Sequence, residues 1–170
     1  MSDDKGADPE ASRPYMPPQY PLLGPMEGKG LLPWIWASER LSRSRGYWIA
    51  TTRPDGRPHI MVVWGVWLDD AFYFTTGRDS RKARNLSTNP RCVVCPENAD
   101  EAVIVEGVAE EVTDPMVLRL FKEAYETKYQ EEVDTGQFII YGVRPCVAFG
   151  FISHAVEFWG TATRWRFRGG

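Results

Sequence analysis

The sequence predicts a mainly β protein: an antiparallel barrel with helical additions. Short apolar runs of strand length recur along the chain, with turn signals such as Asp55-Gly56 and Asp69-Asp70 between them. Asp-Gly flanked by apolar runs is a strong hairpin signal. Strand-like and helix-like segments do not alternate regularly, which argues against a doubly wound sheet. Six or more short strands joined by hairpins close most simply as a barrel. No internal repeat is visible.

Bulk properties bound the reading. A chain of 170 residues suits one domain with a sizeable core. The net charge is -3, whereas a general nucleic-acid binder is usually strongly basic. No apolar run approaches the roughly 20 residues of a membrane span. The N-terminus lacks the basic-then-apolar order of a secretory signal, so a cytoplasmic location is expected. Cys92, Cys95 and Cys146 are an odd set for a disulfide framework. Cys92 and Cys95 fall on one strand, three apart, and so point to opposite faces. They read as small buried apolar residues, with a redox pair as the alternative. No spacing suggests a metal site or a covalent triad, so no catalytic protein nucleophile is expected.

Seven of the thirteen prolines lie in residues 1–33. Residues 1–29 therefore read as a Pro-rich tail, disordered or lying over the body, and residues 30–170 as the folded domain. Leu31 to Arg45 is a helix candidate with Pro33 in its first turn and Gly46 at its stop. Tyr47 to Thr52 reads as a strand, Pro54 to Arg57 as a turn, and His59 to Leu68 as one long strand. Ala71 to Thr76 returns as a strand. Asp79 or Ser80 caps a helix running to about Thr88, where Asn89-Pro90 stops it. Cys92 to Pro96 and Ala102 to Val112 follow as strands. Asp114 caps a helix with Pro115 at its first position, running to about Glu132. Phe138 to Val143, Pro145 to Ile152 and Ala162 to Phe167 complete the strands.

Three stretches carry candidate chemistry. In Phe74 to Pro90 a strand ends in Thr75-Thr76, a glycine loop follows, and a helix opens with Ser80, Arg81 and Lys82. Free N–H groups and the helix dipole favour an anion there, and Arg78, Arg81, Lys82, Arg84 and Arg91 make a basic island. A phosphate pocket and a solvated basic helix face both fit. His59-Ile60-Met61-Val62-Val63, continuing to Trp67, is apolar on both faces, as a central barrel strand or a pocket-lining strand would be. A flat ring could lie along it and hydrogen-bond its peptide groups. Thr163 to Phe167 alternates Arg with Trp and Phe, giving a strand with one cationic and one packed face.

These residues, with Tyr47 to Thr51 and Pro54 to His59, resemble the pyridoxamine 5'-phosphate oxidase-like family over about Leu31 to Phe167. The resemblance implies the FMN-binding split β-barrel, a homodimer with the cofactor at the interface, and a small-molecule substrate. It implies that Thr75, Thr76, Ser80, Arg81 and Lys82 hold the cofactor phosphate. His59, Ile60, Met61, Val62 and Val63 would line the ring system. His59 stands where the family often has Arg. Trp165 and Arg166 would reach the site from the other subunit. FMN is the implied cofactor and flavin-dependent hydride transfer the implied activity. A deazaflavin coenzyme is the alternative, with Arg53, Arg57, Arg78 and Arg84 available for its longer anionic tail. A flavin-binding module without turnover is a third reading. The chain closes at Arg168-Gly169-Gly170 without the Arg-rich clamp expected of true pyridoxamine phosphate oxidation, so the cofactor carries over and the substrate does not.

Overall fold

A computed structural model describes residues 8–20, 23–134, 136–154 and 157–168. In chain order these form β1 (Glu10–Ser12), α1 (Trp34–Arg43), β2 (Tyr47–Thr52), β3 (Pro58–Val63), β4 (Gly65–Leu68) and β5 (Ala71–Gly77). Then come α2 (Arg81–Thr88), β6 (Arg91–Pro96), β7 (Glu101–Glu111), α3 (Pro115–Tyr129), β8 (Phe138–Ile152), α4 (Phe158–Thr161) and β9 (Thr163–Arg166). Every strand pairing is antiparallel, in the order β1-β9-β8-β7-β6-β2-β3, with the β4–β5 hairpin joined to β8 through β5. The expected antiparallel barrel is present. Among the described residues no helix is long and apolar enough to cross a membrane.

Local chemistry sets most boundaries. The Arg53–Arg57 hairpin turns on Gly56, whose φ of 84° favours glycine. Asp114 caps α3 by accepting from the N–H groups of Met116 and Val117, with Pro115 inside the first turn. That helix ends at Gln130, in the left-handed region, two residues before the expected Glu132. In α1 the spacing of Trp34, Ala37 and Leu41 buries one face, and Pro33 occupies the cap position rather than the first turn.

Two strand readings need correction. His59 to Leu68 is not one strand. The chain breaks at Trp64, so β3 pairs with β2 while β4 pairs with β5. Gly65 makes the break: its N–H donates to Tyr129 Oη at 3.0 Å, and Lys128 Nζ donates to its carbonyl at 3.0 Å. Conversely, Phe138 to Val143 and Pro145 to Ile152 are one strand, β8. It crosses Pro145 at a bulge opposite Glu106 and Gly107, where a missing N–H is tolerated. The first half of β8 pairs with β5 and the second half with β9, while β7 runs along nearly its whole length.

Two elements were not read from the sequence. Residues 10–12, within the expected tail, pair with β9, and the Arg13 guanidinium ties the following chain to the carbonyls of Ala162 and Gly24. The short α4 precedes β9.

The main core gathers Trp34, Leu41, Tyr47, Ile49, Phe72, Phe74, Val94 and Trp165 inside the barrel. A smaller cluster of Val66, Phe121, Tyr125, Tyr129 and Ile140 seats α3.

Gly65 gives the sharpest test of this packing. A Cβ there would lie 2.4 Å from Phe72 Cζ and 2.6 Å from the Tyr73 carbonyl oxygen, and the backbone partner cannot yield. Gly65→Ala is expected to cost about 1–3 kcal/mol through overpacking. This should lower the thermal midpoint by roughly 2–4 °C for each kcal/mol. An unchanged midpoint in a thermal melt would show that the break is not tightly packed.

Candidate functional site

β3 is the open edge of the sheet: among the described strands it pairs only with β2. Its register sets two faces. Ile60 and Val62 lie opposite Ala50 and Trp48, on one face. His59, Met61 and Val63 share the other face with Thr51, Ile49 and Tyr47. The expectation that this strand is buried on both faces does not hold for a single chain. Ile60 is 57% exposed, Val62 49% and Met61 47%, and Trp64 just beyond is 49% exposed; only Val63 is buried. An edge this apolar is a surface that something covers.

Beside it, β5 delivers Thr75 and Thr76 to the mouth of α2. Thr76 Oγ1 donates to Ser80 Oγ at 2.9 Å, and the Ala83 N–H donates to the same oxygen at 3.1 Å. Ser80 is thus the N-cap of α2. With both lone pairs engaged, its own hydroxyl proton is free to donate outward. The Thr75 hydroxyl is buried and has no partner. The first N–H groups of α2 have no acceptor within the helix. Ser80 and these N–H groups are unspent donors at the start of α2, whereas Thr75 faces the other side of β5.

Charge converges there too. Burial, then the positive charges of Arg53, Lys82 and Arg81, hold the His59 imidazole below its ordinary range. The positive charges of those three side chains therefore all act on one ring. Lys82 is half-buried, and burial lowers its ammonium pKa. Neither Arg81, Lys82 nor Arg53 makes an ion pair among the described residues, and Arg53 Nε is buried without a partner. Arg91 also makes no ion pair among the described residues, whereas three nearby arginines are engaged. Arg57 pairs with Asp55 at 2.7 Å, Arg78 lies 3.6 Å from Glu111, and Arg84 folds back onto the Asp79 carbonyl.

Thr51 and Asn85 belong to this arrangement and were not read from the sequence. Asn85, fully buried in α2, donates Nδ2 to Thr51 Oγ1 at 2.9 Å. Thr51 Oγ1 in turn lies 3.4 Å from both His59 Nδ1 and the His59 carbonyl oxygen. A polar Asn on the face that carries the buried Ala83 and Leu86 was the available signal.

Thr76, Ser80, Arg81, Lys82 and His59 are thus gathered at the start of α2, with Met61 and Val63 on the His59 face of β3 and Ile60 and Val62 on the other, while Thr75 faces the opposite side of β5 from Thr76. Trp165 is not among them. It is fully buried in its own core, edge-on to Trp34 at 5.4 Å, so it has no surface to offer another subunit. Alternation on β9 turns Thr163 and Trp165 inward and leaves Arg166 exposed opposite Glu10 and Val147. The expected cationic and packed faces of that strand are both present. The cysteines are free, with Cys92 buried and Cys95 half-exposed on the opposite face.

The architecture is that of a split β-barrel of the kind that holds cofactors in its relatives. The chain belongs to the pyridoxamine 5'-phosphate oxidase family, whose model matches residues 37–160. Among solved structures it is similar to an F(420) reductase at 28% identity, covering 65% of this chain and 94% of that one with a TM-score of 0.54. A conserved hypothetical protein of Mycobacterium tuberculosis matches at 22% identity, covering 81% and 86% of the two chains, TM-score 0.60. A heme binding protein of Mycobacterium smegmatis matches at 18% identity, 73% and 56% coverage, TM-score 0.62. The last two share the fold. No curated protein matches the chain.

The cap and the anion site can be separated at Ser80. Ser80→Ala should cost about 1 kcal/mol of stability through loss of the N-cap. Ser80→Asp should hold stability near the parent, because Asp caps as well as Ser. Denaturant titration of the pair checks this, and equal loss in both variants would mean that the hydroxyl does more than cap.

Proposed function

We propose that the protein is an FMN-binding oxidoreductase that transfers a hydride through the flavin to a small-molecule substrate, working as a homodimer with the cofactor at the interface. The observation that carries this is the concentration of unspent donors and unpaired cations at the start of α2, beside an apolar open strand. A phosphate monoester needs the first. A flat tricyclic ring needs the second.

The residues fit the cofactor on their own terms. Lys82 and Arg81 would meet the phosphate with charge-assisted bonds. The hydroxyl of Ser80, together with the first N–H groups of α2, supplies neutral donors. Met61, on the His59 face of β3, would give the ring an apolar contact, and the unpaired peptide groups of β3 can bond its polar edge. FMN, when bound, supplies the hydride chemistry. The chain binds, orients and excludes water, and no side chain is required as a nucleophile. Exposed Trp48, Ile60, Val62 and Trp64 make a surface of the sort a second copy would cover, and such a cover would also dry the ring. Arg166 lies on the exposed face of the same sheet and is the residue of β9 able to reach across.

A second reading has one specific support. The solved structure at 28% identity is an F(420) reductase, so a deazaflavin coenzyme is the alternative. Its longer anionic tail would need cations beyond the phosphate pocket. Of the four arginines considered for it, Arg57, Arg78 and Arg84 already have partners and Arg53 does not. This favours FMN.

Titration of the purified protein with FMN and with F(420), side by side, decides between the two. Tighter binding of F(420) would replace the first reading with the second. Bound flavin that no electron donor reduces would mean binding without turnover. In either case Lys82→Ala should weaken cofactor affinity by roughly 10–100-fold, the loss of one charge-assisted contact, with the fold intact. Lys122→Ala on α3 should change nothing. Unaltered affinity in Lys82→Ala would remove α2 as the phosphate site.

A further inference from the structure

His59 sits in a setting that accommodates two protonation states of its ring. Thr51 Oγ1 is equidistant, at 3.4 Å, from His59 Nδ1 and the His59 carbonyl oxygen. When the imidazole is neutral and Nδ1 is bare, the Thr51 hydroxyl can donate to Nδ1. When Nδ1 carries a proton, that N–H can donate to Thr51 Oγ1, and the hydroxyl proton can turn to the carbonyl. Asn85 Nδ2 holds the same oxygen at 2.9 Å in both cases, and a hydroxyl oxygen can accept twice. Neither state leaves the Thr51–His59 contact unmade, so the surrounding charge decides which is populated.

That charge is one-sided in the free protein. The groups acting on His59 are Arg53 from the β2–β3 turn and Arg81 and Lys82 from α2. Thr51 on β2 is neutral, and Asp55, the acid of the turn, is occupied by Arg57. All three neighbours oppose a fourth positive charge. A bound phosphate would reverse the sign of the field at the ring, because two negative charges would then sit among the cations.

We propose that His59 is a proton-coupled contact of the phosphate site, neutral in the free protein and protonated when the cofactor phosphate is bound, so that binding takes up a proton and pH governs cofactor retention. This rests on the cofactor reading above. An arginine at this position could not do it, because guanidinium stays charged. The linkage has a definite sign. A ring that gains basicity on binding makes affinity rise as pH falls through its bound-state midpoint and level off below its free-state midpoint. Above both midpoints the proton contributes nothing. Holding fewer charges together when empty is the physical reason for histidine here.

The chain has two histidines, His59 and His154, so imidazole NMR is readily assigned with a His154→Gln variant. The His59 midpoint is followed with and without saturating FMN, and again with F(420). The expected result is an upward move of at least about one pH unit on binding, a tenfold change in proton affinity. Calorimetry in two buffers of different ionisation heat should register net proton uptake. FMN phosphate has its own ionisation near about pH 6, so parent and His59→Asn are compared under the same conditions. Below both midpoints the parent should have gained about tenfold in affinity over His59→Asn, with part of that gain appearing between about pH 8 and pH 6. His59→Arg should lack that pH-dependent gain. Cofactor binding with an unmoved His59 midpoint, or with parallel pH profiles for parent and His59→Asn, overturns the proposal and leaves the cofactor reading standing. Failure of both cofactors to bind at any pH overturns the two together.

Discussion

Between Val63 and Gly65 the chain leaves one leaf of the sheet and enters the other, and the way it does so governs what the molecule exposes. Trp64 stacks almost parallel on Tyr129 at 4.9 Å. The Tyr129 hydroxyl accepts from the Gly65 N–H and lies 2.8 Å from the carbonyls of Gly65 and Arg45, to one of which its proton goes. Lys128 adds a bond to the Gly65 carbonyl and another to Tyr47 Oη. Its ammonium pKa is depressed to about 8, chiefly by burial. The end of α3 therefore grips the backbone at the point of departure. Because β4 is led away to pair with β5, no described strand covers the far side of β3. The open apolar shelf follows from this clamp.

The same economy of partners shapes the cationic pocket. Buried polar groups are normally satisfied, and near the pocket Arg53 Nε and Asn85 Oδ1 are left without partners, as are Arg13 Nε, Arg40 Nε and Trp165 Nε1 elsewhere. Asn85 nevertheless links α2 to β2 and, through Thr51, to the first residues of β3. Helix, central strand and edge strand are joined by one short chain of hydrogen bonds. A ligand touching both α2 and β3 meets elements already held in register, which lowers the ordering cost of binding.

The two ends of the sheet are treated differently. At β9 the edge is closed by β1, and Arg13 fastens the succeeding chain to Ala162. Tyr20 continues the cover by resting 5.3 Å from Trp159. At β3 no comparable strand is present among the described residues. An edge that is blunted at one end and open at the other directs association to the open one.

Helix α2 was legible because its signal is local: Ser80 caps, and Asn89-Pro90 ends it. Asp114-Pro115 and Asp55-Gly56 were legible for the same reason, since capping and positive φ involve residues a few positions apart. The alternation of Arg164, Trp165 and Arg166 also sorted one face from the other. The residues around Thr75 to Lys82 carried the family resemblance and, with it, the split barrel. Tertiary structure alone decided which strand lies beside which. Periodicity reports that His59 to Leu68 alternates, but not that Gly65 is gripped by a helix some sixty residues later. It could not fuse the halves of β8 across Pro145, because only the pairing with β7 makes that bulge acceptable. Nor could it bury Trp165 or set Arg78 against Glu111. Those outcomes depend on partners distant in sequence, and a partner's position is a property of the folded sheet.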